Sequence, residues 1–244
     1  FTNAQGGNTW ENPLNWLFGL PQASDNVLIS GGNAVTHSSG NDSIATLTVD
    51  VGNSLALLGG SLSVSGLANL NGGLLINGGS LNLNGTAYLQ SLDLAGGSLY
   101  ANDLHLLGAS HLWRGGSLSG QVEIANGATF DLSGGTRSFS SGLLRNLGTL
   151  NFNLDANADL SLGQAAQLEN AGNLVFSGSN NGLSTLAGQS ATGLLNTGTL
   201  RVATGQNARV TTDNFTTTGS LLVESGATLQ RPQGFTNQGE LSGH

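Results

Sequence analysis

The sequence predicts an all-β protein, a single-stranded parallel β-helix in which short coils stack along one axis. Three observations lead to this fold class: a glycine pair that returns at a fixed interval, apolar residues that alternate on both sides of it, and a second motif that repeats at wider spacing. We predict a right-handed helix of roughly a dozen coils, each of about 18–26 residues.

The glycine pair sets the period of the first half of the chain. Its copies follow one another at intervals of 18 or 19 residues: Gly59-Gly60, Gly78-Gly79, Gly96-Gly97, Gly115-Gly116 and Gly134-Gly135. A period this short and regular indicates one structural unit stacked on copies of itself. Because glycine tolerates positive φ, we expect each pair to form a sharp turn between two strands.

Apolar residues alternate around each glycine pair. In the first copy Leu55 and Leu57 precede the pair, and Leu62 and Val64 follow it. Alternation with a period of two is typical of a strand that buries one face. One coil cannot bury such faces alone, so the coils are expected to stack at the strand spacing of about 4.8 Å.

The second half of the chain uses another motif, apolar-x-Asn-x-Gly-x-Leu, at steps of 20 to 26 residues. The asparagines of this motif are Asn146, Asn170, Asn196 and Asn237. Stacked at one turn, they can form a side-chain amide ladder or act as ordinary turn formers, and the sequence leaves both readings open. We therefore divide the predicted β-helix, residues 25–244, into coils of the glycine-pair type (25–140) and coils of the asparagine type (141–244).

Residues 1–24 differ from the repeats because they contain two of the three tryptophans and two of the three prolines. A solenoid needs its terminal coil covered, since an open strand edge recruits other chains. We predict that this segment is an N-terminal cap or lead-in; the alternative is an irregular loop on the side of the rod.

The C-terminal end shows no comparable segment, and Phe235-Thr-Asn237-Gln-Gly239 resembles Phe1-Thr-Asn3-Ala-Gln-Gly6. We expect either head-to-tail stacking of molecules or continuation of the array in a longer polypeptide, because uncapped coils favour heterologous contacts. The alternative is a chance match of a short motif. The residues predicted to form the assembly interface are Phe1, Asn3, Trp10, Trp16, Phe18, Phe235, Asn237 and Leu241.

Composition excludes several functions. The chain has no cysteine, which excludes disulfides, thiolate metal sites and a cysteine nucleophile. Its six basic residues are all arginine, against fourteen acidic ones, so we expect no binding to nucleic acid or to an anionic membrane. No stretch approaches the roughly 18 apolar residues of a membrane span. Only 8% of residues are charged, a composition common in secreted bacterial repeat proteins.

Few residues are candidates for chemistry. The carboxylates of Asp93, Asp103 and Glu123 could act together on a polysaccharide, although a solvated face is the simpler reading. The segment Asp155-Ala-Asn157-Ala-Asp159 offers oxygen ligands for Ca²⁺ but has no neighbouring copies, so we interpret it as a loop. We predict no catalytic residue, no cofactor and no metal.

Three further residues interrupt the apolar pattern. His105 and His111 lie on leucine-rich strands, and His111 takes a position otherwise held by leucine or phenylalanine. We interpret both as hydrogen-bonded strand residues rather than metal ligands. Arg137 stands where the earlier copies have leucine. We expect its side chain to turn outward through a bulge at the change of motif.

The Gly-Ala-Thr-Leu turns, the Asn-x-Gly-x-Leu coils and the Gly-Gly-Ser-Leu repeats resemble the β-helical stalks of large bacterial surface exoproteins, the filamentous-haemagglutinin-like and autotransporter-passenger-like adhesins. The segment Trp10-Glu-Asn-Pro-Leu-Asn-Trp16 resembles the opening of tandem β-helix modules in giant extracellular proteins. The resemblance implies export to the bacterial surface and a role in adhesion, biofilm matrix or surface fibres. The Asn-Pro-Asn-Gly-type motifs of the haemagglutinin secretion domain are missing.

The sequence therefore predicts a non-enzymatic extracellular structural or adhesive rod or fibre. The alternative is a carbohydrate-binding or polysaccharide-degrading β-helix, whose ligand would be a surface glycan. That alternative needs an acidic groove with aromatic side chains along one face, and its candidates are Tyr88, Tyr100, Asp103 and Glu123.

Overall fold

A computed structural model describes residues 1–243, and it confirms the all-β, all-parallel solenoid. The described residues form about ten turns of about 21 residues each. At about 4.8 Å per turn the rod is about 50 Å long. One short 3-10 helix, Pro13–Asn15, precedes the first strand.

Three faces run along the rod, here called sheets A, B and C. Sheet A contains β1 (Asn26–Ile29), β4 (Thr46–Val49), β14 (Gln167–Asn170), β17 (Gly193–Asn196), β20 (Asn214–Thr217) and β23 (Thr236–Asn237). Sheet B contains β2 (Ala34–His37), β5 (Ser54–Leu57), β8 (His111–Trp113), β10 (Thr129–Gly134), β12 (Thr149–Leu154), β15 (Asn173–Phe176), β18 (Thr199–Val202), β21 (Ser220–Val223) and β24 (Glu240–Gly243). Sheet C contains β3 (Asn41–Ile44), β6 (Ser61–Val64), β13 (Asp159–Leu162), β16 (Asn181–Thr185), β19 (Asn207–Thr211) and β22 (Thr228–Gln230).

Three longer strands pass through the corners and join the faces. They are β7 (Ala68–Leu106), β9 (Ser117–Ile124) and β11 (Arg137–Asn146). Strand β7 contributes to all three sheets, and β9 and β11 contribute to sheets C and A. We call the end with β1, β2 and β3 the head and the end with β22, β23 and β24 the tail.

Coil length varies while the inward columns stay in register. Leu106 follows Leu89 at one extreme, since the Leu107 N–H donates to the Leu89 carbonyl, and Leu183 pairs with Val210 at the other, so successive coils are 17 to 27 residues apart. The alternating residues of each strand point inward and form one continuous core along the rod. Loops at the corners therefore absorb the differences in length.

The predicted turn role of the glycine pairs is confirmed at Gly79. Its φ is +64°, a conformation that favours glycine, and a Cβ atom there would lie 2.3 Å from the Gly60 carbonyl oxygen of the preceding coil. Gly97 and Gly116 repeat this geometry in the next two coils. The stacked pairs thus let the backbones of adjacent corners approach closely.

The asparagines of the second half form an amide ladder on sheet A. The Nδ2 atom of Asn146 donates to Oδ1 of Asn170 at 2.7 Å, and Nδ2 of Asn170 donates to Oδ1 of Asn196 at 2.7 Å. Asn196 then donates to the Thr217 hydroxyl at 2.9 Å. Asn237 follows Thr217 in register but accepts a hydrogen bond from the Gly239 N–H instead. Of the two interpretations left open by the sequence, the amide ladder is therefore correct for Asn146, Asn170 and Asn196.

The structure differs from the prediction that the Arg137 side chain turns outward. The side chain is buried, and Phe139 instead continues the leucine column by pairing with Leu118. The Arg137 guanidinium donates to the carbonyl oxygens of Trp113 and Arg114, among others. The register shift that we expected lies just beyond, between Phe139 and Gly142. The outward orientation was therefore wrong, because a planar cation with several donors can satisfy carbonyl groups at this corner.

Candidate functional site

The first part of the chain forms an additional rung on sheet B at the head. The Trp10 N–H donates to the Thr36 carbonyl at 2.8 Å, and the Thr36 N–H donates to the Asn8 carbonyl at 2.8 Å. Thr9 thus forms a parallel bridge with Thr36. Residues Asn8–Trp10 therefore cover the edge of β2, and we call them the head rung.

Two tryptophans fix the head rung to the rod. Trp10 is fully buried and packs edge-on against Trp16, with ring centroids 4.7 Å apart. The Trp16 indole N–H donates to the Trp10 carbonyl at 2.7 Å. Both rings are buried within the single molecule, although Trp16 also contributes to the lining of the groove beside β1. The two tryptophans therefore support the surface of the head rather than project from it.

An apolar groove of about 510 Å³ lies beside β1 on the outer surface of the head. Phe1, Leu17, Phe18 and Leu28 are among the residues that line it, and Phe18 is 93% exposed. Among residues 1–243, strand β1 pairs with β4 on one side and has no strand on the other. The Phe1 ammonium donates to the Leu28 carbonyl at 2.8 Å, and partial burial lowers the pKa of that group. Asn3 is partly buried, and its Oδ1 accepts from the Asn8 N–H.

The tail exposes strand edges and apolar side chains. Within the described residues, β22, β23 and β24 each pair with a strand on one side only. Phe235 stacks on Phe215 with ring centroids 5.2 Å apart and remains 40% exposed, and Leu241 is 60% exposed. Asn237 is also exposed. Phe235, Asn237 and Leu241 therefore lie together at the tail, while Phe1, Asn3 and Phe18 lie at the head.

A polar cluster on the outer side of sheet A brings several candidate residues together. The imidazole of His105 lies 3.2 Å from the carboxylate of Asp103 and 3.3 Å from that of Glu123. Tyr88 stacks on His105 at 5.2 Å, and Arg145 approaches Glu123 at 3.9 Å. A shallow groove of about 150 Å³ runs beside these side chains. The charges of the cluster largely pair with one another.

The other acidic candidates lie apart from this cluster. Asp93 pairs with Arg114 on sheet B, and Asp159 pairs with Arg209 at 2.6 Å. Both carboxylates are thereby occupied by arginine. Within residues 1–243 no group of three or more potential ligands is placed to hold a metal ion. In the same part of the chain, no helix has the length and apolar character needed to cross a membrane.

Two buried histidines have different surroundings. His111 is in the core as predicted by its column, but neither ring nitrogen has a hydrogen-bond partner, contrary to our interpretation. Burial lowers the pKa of His111 to about 4, while an interaction with the Gly108 backbone opposes that shift. His37, which the sequence analysis missed, has Nδ1 at 3.0 Å from the Gly59 carbonyl and Nε2 at 2.8 Å from Asp42. The sequence signal that could have identified His37 is its position in the column of inward-facing residues that also contains Leu57.

Comparison of the chain with protein-family models, with characterised proteins and with solved structures found no match. The two ends of the rod are the surfaces at which strand edges and exposed apolar side chains coincide.

Proposed function

We propose that this chain is a non-enzymatic structural rod that acts outside the cell and associates end to end. The observation that carries the proposal is the unbroken register of sheet B along the rod. Sheet B keeps one column in register from β2 at the head to β24 at the tail. A further coil could therefore stack on the tail in the same register.

Unpaired parallel edges are a template for strand addition, and proteins usually cover or charge them. Here the tail edge carries Leu241 and Phe235, both substantially exposed. A head-to-tail contact uses different surfaces on the two partners, so it propagates into a fibre. Burying exposed leucine and phenylalanine side chains favours this contact by about 1.5–3 kcal/mol per side chain that is fully buried.

An extracellular setting is supported by composition. The surface is built from serine, threonine, asparagine and glycine, the net charge is −8, and cysteine is absent. Such a surface resists non-specific binding to anionic polymers and does not depend on redox conditions. The resemblance to surface adhesins points the same way, and a role in adhesion or in a biofilm matrix belongs to this proposal.

Electron microscopy and light scattering of the purified protein test the proposal. We expect unbranched filaments whose axial repeat is about 50 Å, the length of one rod. A monomer that stays dispersed at millimolar concentration would contradict end-to-end association. Labelling of intact producing cells with an antibody tests the location: signal confined to permeabilised cells would contradict an extracellular role.

The polar cluster on sheet A supports a second candidate function, binding of a surface glycan. Tyr88 and the carboxylates of Asp103 and Glu123 combine an aromatic face with hydrogen-bond acceptors. Tyr100, by contrast, lies on sheet C, where it pairs with Ser119. A glycan array tests this function with the wild type and with a Tyr88→Ala, Glu123→Gln double variant. Binding that the double variant loses would support it, and absence of binding would remove it.

A further inference from the structure

We propose that the tail strand β24 of one molecule adds in parallel to the head rung of a second copy, with Ser242 opposite Thr9. This inference rests on the proposed end-to-end association and specifies its register. It concerns sheet B, because at that face Thr9 of the head already forms a parallel bridge with Thr36.

The side-chain columns select this register. Pairings along sheet B place Leu241 after Leu221 in the column that begins with Val35. The bridge between Thr9 and Thr36 puts Asn8 before Val35 in that column and Trp10 before His37 in the next. Leu241 and Asn8 therefore share one column, and Gly243 and Trp10 share the other. Stacking a tail on a head in this register continues both columns.

The free backbone N–H and C=O groups of the tail strand and of the head rung alternate so that they can pair with each other. The Asn8 carbonyl and the Trp10 N–H both bind Thr36, so the N–H and C=O of Thr9 point away from the rod, as alternate residues of a parallel strand do. At the tail the Glu240 N–H donates back to Gly219, so Leu241 and Gly243 point their backbone groups outward. In the proposed pair the Thr9 N–H donates to the Leu241 carbonyl, and the Gly243 N–H donates to the Thr9 carbonyl.

Side-chain sizes also fit. Trp10 fills its column with a fully buried indole, and the residue that would precede it is Gly243, which adds no side chain. Leu241, now 60% exposed, would be covered between Leu221 of its own rod and the polar Asn8 of the next. The same register brings Phe235 of the tail towards the apolar groove beside β1. A second copy of this chain is thus the partner that we propose for the tail, because its side-chain columns, its backbone hydrogen-bonding groups and its apolar surface all match those of the tail.

Cysteine cross-linking tests the register, since the chain has no cysteine of its own. Single variants Thr9→Cys and Ser242→Cys are purified, mixed and treated with a short bis-maleimide. We expect a covalent dimer in the mixture and none from either variant alone. The control pair is Thr9→Cys with Thr228→Cys, because Thr228 is exposed at the tail on sheet C and should not reach Thr9.

A second variant tests the contact without a cross-linker. A Cβ atom at residue 243 would have the Val223 carbonyl oxygen, at 3.7 Å, as its nearest neighbour, so Gly243→Val is accommodated within its own rod. Its methyl groups would occupy the space into which the head rung of the next copy must come, and we expect association to weaken at least tenfold in light scattering. If molecules still associate but the Thr9–Ser242 pair does not cross-link, the register is wrong and the proposed function stands. If no association occurs at any concentration, both are overturned.

Discussion

The side-chain amide of Asn146 donates to that of Asn170 at 2.7 Å, although 24 residues separate them in the chain. Asn170 repeats the contact with Asn196 in the next coil, and each asparagine also donates to a backbone carbonyl. All three side chains are buried. The ladder therefore gives partners to all three buried amide Nδ2 groups and to the Oδ1 atoms of Asn170 and Asn196, and it fixes the register of sheet A.

Replacement of the central member of the ladder should be costly. In Asn170→Ala, the Asn146 amide loses one of its two acceptors and the Oδ1 atom of Asn196 loses its donor. Leaving such groups buried without partners costs about 1–3 kcal/mol each, so we expect a loss of about 2–4 kcal/mol in the free energy of unfolding. Urea denaturation measures it. Asn153→Ala, at an exposed site on β12, is the matched control and should change stability by less than about 0.5 kcal/mol.

The sequence predicted those features of the fold whose sequence signal recurs from coil to coil. The Gly-Gly period and the alternation around Leu55 recur in coil after coil, and they predicted the fold. Arg137 illustrates the limit. The spacing from the last glycine pair placed it in the leucine column, whereas the structure shifts that column by two residues to Phe139. A single change of corner geometry cannot be read from a period, because it depends on contacts made with the preceding coil.

The candidate site was less predictable than the fold. Phe18, Phe235 and Leu241 are exposed at the ends, and the sequence placed them at the assembly interface. Trp10 and Trp16 were grouped with them, since an aromatic residue near a chain end looks the same in sequence whether it faces a partner or the core. The indole N–H of Trp16 donates to the Trp10 carbonyl, a contact that no local pattern indicates.

The guanidinium of Arg137 should contribute more to stability than its charge suggests. It donates to backbone carbonyls of Trp113 and Arg114 on the preceding coil, and burial lowers its pKa. Arg137→Met would leave those carbonyl groups without donors, and we expect a loss of about 2–4 kcal/mol. Arg145→Met is the control, because that side chain is 52% exposed and its surface ion pairs contribute about 0–1 kcal/mol. Equal losses in the two variants would contradict a role for the buried hydrogen bonds.

Replacing His111 should stabilise the protein, increasingly so in mild acid. The folded state lowers the pKa of His111 to about 4 from 6.5. As the pH falls from about 6.5 to 4, the unfolded chain binds a proton that the folded chain does not, so stability is lost in that window by at most about 3 kcal/mol. His111→Leu removes this term and two unpaired nitrogen atoms. Thermal unfolding of both proteins at pH 7 and pH 5 measures it, and a constant difference between the two pH values would contradict the assignment.

The stacked glycines should differ from glycines that only need positive φ. At Gly79 a new Cβ atom would lie 2.3 Å from the Gly60 carbonyl oxygen, whereas at Gly52, with φ of +80°, it would meet nothing within 4 Å. We expect Gly52→Ala to cost about 1–2 kcal/mol from backbone strain. Gly79→Ala adds displacement of the preceding corner and should cost clearly more. Denaturation midpoints of the two variants provide the comparison, and similar midpoints would show that the corner has room to move.

Coil length varies by up to ten residues while the columns stay aligned. Apart from the side chain of Arg209, which reaches two coils back to Asp159, the contacts described above join neighbouring coils, so the gain or loss of a coil elsewhere leaves them as they were. The number of coils, and with it the length of the rod, can then change without a cost in packing. Only the surfaces at the two ends, where rods join, must stay constant. A family of such rods would be expected to differ in reach long before it differed in the way its members join.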